Sequence, residues 1–338
     1  MIKALLVYFT GTGTTRYFAA LMQEEMAERG FSCDCLNLED LTDTAELWQK
    51  GPVALPYTIR AEEKRPLSKY PWPYQKLEDA LKKPKENPLF KNLRQQWGGY
   101  NLIGFGSPVY GFRPAPVMIR FLLDLPVFKR SVRVFSFATH DGAQGDFEAF
   151  MKNILTMKGL NYIGHLDHTF VYSASAIIRR HFDNLQAGRL LLKKSRKARR
   201  EINIFLDYAQ SLYSGIPYWY RGFNLFNLFL GLPYRFVYSY GIDFLLNFAL
   251  FGFGIHKDKC IQCMTCVKQC PQGLIELDQE GYPLRLYHCM YCLRCLNWCP
   301  TDALYFSKLT DGKARFPGPE ALLEAAMQDE FARHLKEK

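Results

Sequence analysis

A chain of 338 residues is too long for one ordinary core and long enough for two units, one large and one small. Hydrophobic residues make up 48% and charged residues 22%, which excludes a disordered polypeptide and leaves enough apolar surface for a sizeable core. Much of the net charge of +10 is local: seven basic residues and no acid lie between Arg189 and Arg200, whereas residues 256–311 hold six basic residues against six acidic ones.

The first residues run from a short apolar stretch straight into a glycine-rich turn, so no secretion signal is expected. Residues 3–9 form a largely apolar run, as in a strand buried on both faces. Behind the turn, Phe18, Leu21, Met22 and Met26 recur at helical spacing until Gly30, a natural stop. The alternation then repeats. Strands are expected over residues 31–38, 102–106, 132–138 and 162–172, and helices over 117–125, 147–157 and about 185–213. Five strands alternating with helices predict a doubly wound, five-stranded parallel sheet filling residues 1–214.

About sixty residues separate the second strand from the third, so an insertion is placed at about 40–100, rich in Pro, Lys and aromatics. Residues 215–255 form an aromatic-rich connector in which Pro233, Arg235 and Asp243 cut the apolar run below the ~18 residues a membrane span needs. It is expected to be buried between two modules, with peripheral membrane or partner contact as the other reading. Residues 312–338 form a tail in which Leu322, Leu323, Met327, Phe331 and Leu335 predict an amphipathic helix docked on the body.

Eight of the ten cysteines fall in one pattern: Cys260, Cys263, Cys266 and Cys270-Pro271, then Cys289, Cys292, Cys295 and Cys299-Pro300. A disulfide framework does not look like this, and thiolate metal sites in a reducing compartment do. Paired C-x2-C units also bind zinc, but zinc sites seldom need a third cysteine at the same interval and a duplicated fourth before proline. Both runs read C-x2-C-x2-C-x3-C-P and resemble the bacterial two-cluster ferredoxins. That resemblance implies a small α+β ferredoxin-like domain over residues 256–311 carrying two 4Fe-4S clusters with crossed ligation. Cys260, Cys263, Cys266 and Cys299 would hold the first, and Cys289, Cys292, Cys295 and Cys270 the second. Small residues and amides near Gly273 and Thr301 would tune the potentials.

Thr10-Gly11-Thr12-Gly13-Thr14-Thr15 joins the first strand to the first helix. Unpaired N–H groups at a helix start and four hydroxyls make an anion cradle without a lysine. No Gly-Lys-Ser/Thr follows, which excludes a Walker loop, and Arg16 stands where a Rossmann loop wants its third glycine. The loop resembles the flavodoxin signature T/S-x-T-G-x-T. Two later segments fall where that family places its flavin loops: Ser107-Pro108-Val109-Tyr110-Gly111-Phe112-Arg113-Pro114, and Thr139-His140-Asp141-Gly142-Ala143-Gln144-Gly145-Asp146.

The resemblance implies a flavodoxin-like α/β domain binding FMN at the carboxyl edge of the sheet. Thr10 to Thr15 would hold the phosphate and Tyr110 would stack on the ring. Gly111 would reorient its carbonyl toward flavin N5, and Gly142 and Gly145 would approach the pyrimidine edge. No obvious Trp or Tyr occurs in the third loop, so the second ring face would be open.

Together the modules are similar to fused flavodoxin-ferredoxin proteins. That implies a cytoplasmic electron carrier in which FMN and two clusters convert between one- and two-electron chemistry. A ferredoxin-fed FMN-dependent reductase of a small molecule is the alternative, and a membrane-bound assembly subunit a third. The partner is an unidentified redox protein or small-molecule acceptor; no nucleic-acid motif accompanies the basic cluster, and nucleic acid is not expected. His140 is read either as a structural histidine or as a proton donor to reduced flavin. The basic cluster is read as a solvated helix face or a docking site for an acidic partner, and Cys33 and Cys35 as thiols sharing one strand face.

Overall fold

The computed structural model describes residues 2–40, 97–110, 113–128, 132–142, 144–170, 183–214, 252–285, 289–306 and 310–336. Most of the 40–100 insertion and all but residues 252–255 of the aromatic connector lie outside the described residues, as do Gly111, Phe112 and Ala143.

Five parallel strands, β1 (Lys3–Tyr8), β2 (Ser32–Asn37), β3 (Leu102–Tyr110), β5 (Arg133–His140) and β6 (Asn161–Thr169), form a sheet in the order β2-β1-β3-β5-β6. A two-residue strand, β4 (Arg113–Pro114), folds back antiparallel on the end of β3. Counting the parallel strands alone, the order is 2-1-3-4-5, that of flavodoxin-like folds.

β1 shows why the sheet is buried on both faces. Leu5, Val7 and Phe9 pack with the residues of α2 (Pro116–Asp124) and α3 (Phe147–Met157). Ala4, Leu6 and Tyr8 face the opposite core, shared with α1 (Thr14–Glu28) and α4 (Asn184–Ser214). The period of two along a strand thus feeds two cores from one continuous apolar run.

The long helix α4 buries Ala187, Leu191, Ala198, Ile202, Phe205 and Ala209, a stripe at three- and four-residue spacing. Phe205 packs with its ring centroid 4.8 Å from that of Phe135 of β5, so truncating it to alanine would cost about 3–5 kcal/mol. The basic cluster does not form a purely solvated face. Arg199 binds Glu24 and Glu25 of α1, Arg189 binds Asp329, and Lys194 donates to the Phe170 carbonyl. Its charges therefore fasten α4 to its neighbours, leaving less of the cluster for an acidic partner.

The C-terminal helix α7 (Pro319–Lys336) docks on α4 with Leu322 and Ala326 buried. Gly188 permits the approach, because a Cβ there would stand 2.1 Å from the Leu322 carbonyl oxygen. The expected stripe is met in part: Leu322 is buried and Leu323 packs on the same core, but Met327 is 62% exposed and Ala326 makes the contact, while the side chains of Phe331 and Leu335 lie outside the described residues.

Strand ends also differ from expectation. β3 runs on to Tyr110 because β4 pairs with Val109 and Tyr110, so Ser107 to Tyr110 belong to a strand rather than a loop. Likewise Thr139 and His140 end β5, which stays paired with β6 to its last residue. Of the strand expected over residues 162–172, β6 stops at Thr169 and residues 171 and 172 lie outside the described residues.

The cysteine-rich unit contains two antiparallel pairs. β7 (Phe253–Ile255) pairs with β10 (Leu304–Phe306), and β8 (Ile275–Leu277) with β9 (Pro283–Arg285). Residues 253–255, expected in the connector, thus belong to this unit. One-turn helices α5 (Thr265–Lys268) and α6 (Arg294–Asn297) each follow two cysteines of a run. Among the described residues no helix is long and apolar enough to cross a membrane.

Candidate functional site

The two cysteine runs repeat in backbone as well as in sequence, with Cys260 and Cys289 29 residues apart. Gln262 and Tyr291, Met264 and Leu293, and Gly273 and Asp302 all take left-handed φ, and each pair keeps the same spacing. Left-handed φ costs a side-chain-bearing residue about 1–2 kcal/mol, so five such non-glycine residues in one small unit must be held there by their surroundings. Left-handed turns also converge N–H groups into concave nests that suit an anion such as a thiolate-ligated cluster. Amides already aim at sulfur: Leu274 N–H at Cys270, Tyr291 N–H at Cys289 and Ala303 N–H at Cys299, each at 3.3 Å.

Cys260, Cys263, Cys266 and Cys299 line a single cavity, together with Ile261, Met264 and Leu277. Cys270, Cys289, Cys292 and Cys295 are electrostatic neighbours of one another on the inner side. Burial pushes the Cys292 thiol up to about 12 and Cys295 well above its ordinary value. On the outer side a hydrogen bond from the Thr265 hydroxyl holds Cys263 low.

At the carboxyl edge of the sheet, Thr10 turns back on its own loop. Its Oγ1 accepts the Gly13 N–H at 3.1 Å and the Arg16 N–H at 3.4 Å, leaving its proton to donate elsewhere. Gly13 sits at φ +97°, which a side chain would strain, and a Cβ there would also meet Pro319 at 3.0 Å. Thr15, fully buried, shares a 2.8 Å hydrogen bond with Thr139, tying the first loop to the third. The N–H groups of Gly11, Thr12, Thr14 and Thr15 have no backbone acceptor among the described residues. Four amide donors at a helix start, with no lysine, fit a phosphate.

The other loop residues divide. Ser107 is spent on structure, its Oγ accepting the Ala115 N–H and donating to the Pro108 carbonyl. Pro108 and Val109 continue the strand. Asp141 and Gly142 are exposed, and Gly145 takes φ +57°. Burial raises the Asp141 carboxyl, and Lys194 and His140 draw it back only in part. His140 binds Asp167 through Nε2 at 2.9 Å; its Nδ1 and the Gln144 Oε1 are buried without a partner among the described residues. Orphaned polar atoms of that kind fit a ligand edge carrying its own donors and acceptors. Burial works against the Asp167 charge, but His140, His165 and His168 hold that carboxylate below its usual range. Burial, with Asp167 nearby, pushes Glu148 to about 7. Cys33 is half-buried against the α1-side core, and Cys35 beside it is exposed.

Tyr110 stands where the loop and the cysteines meet. A Cβ on Gly11 would lie 1.9 Å from the Tyr110 hydroxyl and 3.6 Å from the Cys292 Cβ, so a side chain there would displace the Tyr110 ring. Arg294, between Cys292 and Cys295, is 4% exposed and donates from Nε to the Gly11 carbonyl at 2.6 Å and from Nη2 to the Thr10 carbonyl at 2.5 Å. Its fork also grips the Glu39 carboxylate. Burial opposes the guanidinium charge and Glu39 more than restores it. No sequence motif marks Arg294, Glu39 or Asp167, whose side-chain contacts join parts of the chain far apart in sequence.

Residues 259–310 match the family described as 4Fe-4S dicluster domain. A subunit of pyruvate synthase, PorD, from Pyrococcus horikoshii is 55% identical over 29 residues, 9% of this chain and 28% of the relative. The chain thus spans little more than a quarter of that relative's length. Among solved structures, a flavodoxin from the domain Archaea overlays 58% of this chain and 99% of its own at 11% identity and a TM-score of 0.29. A two-electron reduced flavodoxin from Megasphaera elsdenii overlays 48% and 84% at 16% identity and a TM-score of 0.29. The strand order of the sheet and the matched residues 259–310 put a flavodoxin-like α/β unit and a 4Fe-4S dicluster domain in one chain, the fused flavodoxin-ferredoxin architecture.

Proposed function

We propose that the protein passes electrons between two 4Fe-4S clusters and FMN, joining one-electron to two-electron chemistry in a reducing, cytoplasmic compartment. Residues 1–214 form the flavin unit and 256–311, with the β7 strand Phe253–Ile255 paired to it, the cluster unit. Cys260, Cys263, Cys266 and Cys299 hold the outer cluster, and Cys270, Cys289, Cys292 and Cys295 the inner one. The observation that carries this reading is the seat of Cys292 and Arg294 directly against Gly11 and Tyr110.

FMN, when bound, supplies a centre that takes two electrons singly or together. The chain's own residues do the rest. Amides from Gly11 to Thr15 hold the phosphate, and Thr139 holds Thr15 in place. Gln144 and His140 offer their unpartnered atoms to the ring edge, and Asp167 fixes the imidazole. Tyr110 fills the gap between the phosphate loop and Cys292, excluding water from the short path. The short likeness to a pyruvate synthase subunit supports a redox protein as partner.

Anaerobically purified protein is expected to be brown and to contain about eight iron and eight sulfide atoms with one flavin per chain. Stepwise dithionite titration would then bleach the flavin and the clusters in separate transitions. A preparation with clusters but no flavin, refusing added FMN, would remove the coupling.

A further inference from the structure

Arg294 belongs to the cluster unit, yet three of its contacts lie in the flavin unit: the carbonyls of Thr10 and Gly11 and the carboxylate of Glu39. A peptide unit is planar and trans, so its C=O and N–H point in opposite directions. By gripping the Thr10 and Gly11 carbonyls from the cluster side, the guanidinium turns the N–H groups of Gly11 and Thr12 to the far side of the loop. Those two donors have no backbone acceptor among the described residues. Glu39 neutralises the guanidinium, so Arg294 contributes aim rather than net charge to the loop.

Arg294 itself is placed by its neighbours. It opens the four-residue helix α6, follows a left-handed residue, Leu293, and has Cys292 and Cys295 on either side. So short a helix does not hold its own shape, and thiolates fastened to one cube would fix it.

We propose that Arg294 is a positioning residue that couples the two cofactor sites, so that assembly of the inner cluster sets the phosphate-binding amides and strengthens FMN binding. The inference rests on the flavin reading above. Coupling is reciprocal, so bound FMN also strengthens the equilibrium retention of the inner cluster.

The test compares FMN with riboflavin, which lacks the phosphate, by flavin fluorescence titration of the cluster-loaded protein. In Arg294→Met the Kd for FMN is expected to rise about tenfold or more, ~1.4 kcal/mol, while that for riboflavin stays within about twofold. Because Arg294→Met strands the Glu39 carboxylate, the double variant R294M/E39M carries the same comparison if the single one loses its clusters. Wild-type protein stripped of iron by an anaerobic chelator needs no variant and should show the same selective loss. Unchanged FMN affinity after stripping, or equal loss for both flavins, overturns the coupling. Wild-type holoprotein that binds neither flavin overturns the flavin reading itself.

Discussion

Two copies of one cysteine run, with the same ligands and the same left-handed turns, occupy different surroundings. Ile261 is 64% exposed and its counterpart Met290 8%; Met264 is 39% exposed and its counterpart Leu293 5%. Thr265, at the position equivalent to Arg294, bonds the Cys263 sulfur at 3.3 Å, whereas Arg294 reaches across to Gly11. The motif decides which metal chemistry is built, and the packing around it decides who can approach. On the proposed reading the outer half is the port for an outside partner and the inner half the relay toward the flavin unit.

The most severe way to break this contrast is to remove one thiol from each half. Cys295→Ala and Cys263→Ala should each leave about four of the eight iron atoms per chain, measured with sulfide under anaerobic conditions. Only Cys295→Ala should also destabilise the flavin unit in urea unfolding, because Met290 and Cys292 lie in that unit's core and the cluster that Cys295 would share with Cys292 would hold them there. Equal destabilisation by both variants would mean that the halves are not differently seated.

Met290 tests the same seat without touching a ligand. It packs into the core shared with Val7, Phe105 and Phe147, so Met290→Ala should cost about 3–4 kcal/mol in chemical denaturation. A loss under about 1 kcal/mol would mean that the inner half merely leans on the flavin unit.

Acid probes the seat from the flavin side. His165 is fully buried and burial depresses it to about 4, below the 6.5 of an unfolded chain. Between those values only the unfolded state binds the proton, so this contribution is intact above pH 6.5 and lost as the pH falls toward 4. Glu148 acts in the opposite direction. Its folded value is raised from 4.5 to about 7, so its contribution is present below 4.5 and lost as the pH rises through 7. The two offset each other in the wild type. Removing one, as in Glu148→Gln, should uncover a fall of about 2–3 kcal/mol between pH 6.5 and 4 in urea melts. A profile as flat as wild type would show that His165 titrates normally.

How much of this was legible in the sequence follows from the range of each signal. Ligand spacing, the threonine-glycine loop and the alternating strands are local, and the cysteine cavity, Thr10 loop and parallel sheet stand where those signals put them. Strand ends were missed because β4 pairing extends β3, an effect of residues further along the chain. The contact made by Ala326 on α7 follows from Gly188 on another helix. Arg294 was counted as one charge of a formally neutral module. Its meaning depends on carbonyls near the opposite end of the chain, and a carbonyl leaves no mark in a sequence.

The smallest expected effect completes the contrast. Ile261 matches Met290 in the repeat but keeps most of its surface in solvent, and it belongs to none of the three cores. Ile261→Ser removes little buried area and strands no buried polar group, so unfolding free energy should move by no more than ~0.5 kcal/mol. Iron and sulfide content should stay at the wild-type level, because the neighbouring Cys260 and Cys263 keep their places on the cavity wall. Set beside Met290→Ala, the result measures how far one motif's two copies have diverged in structural duty. A cost for Ile261→Ser approaching that of Met290→Ala would mean that the outer rim is covered in the folded protein, and the outer half could then no longer be the open port.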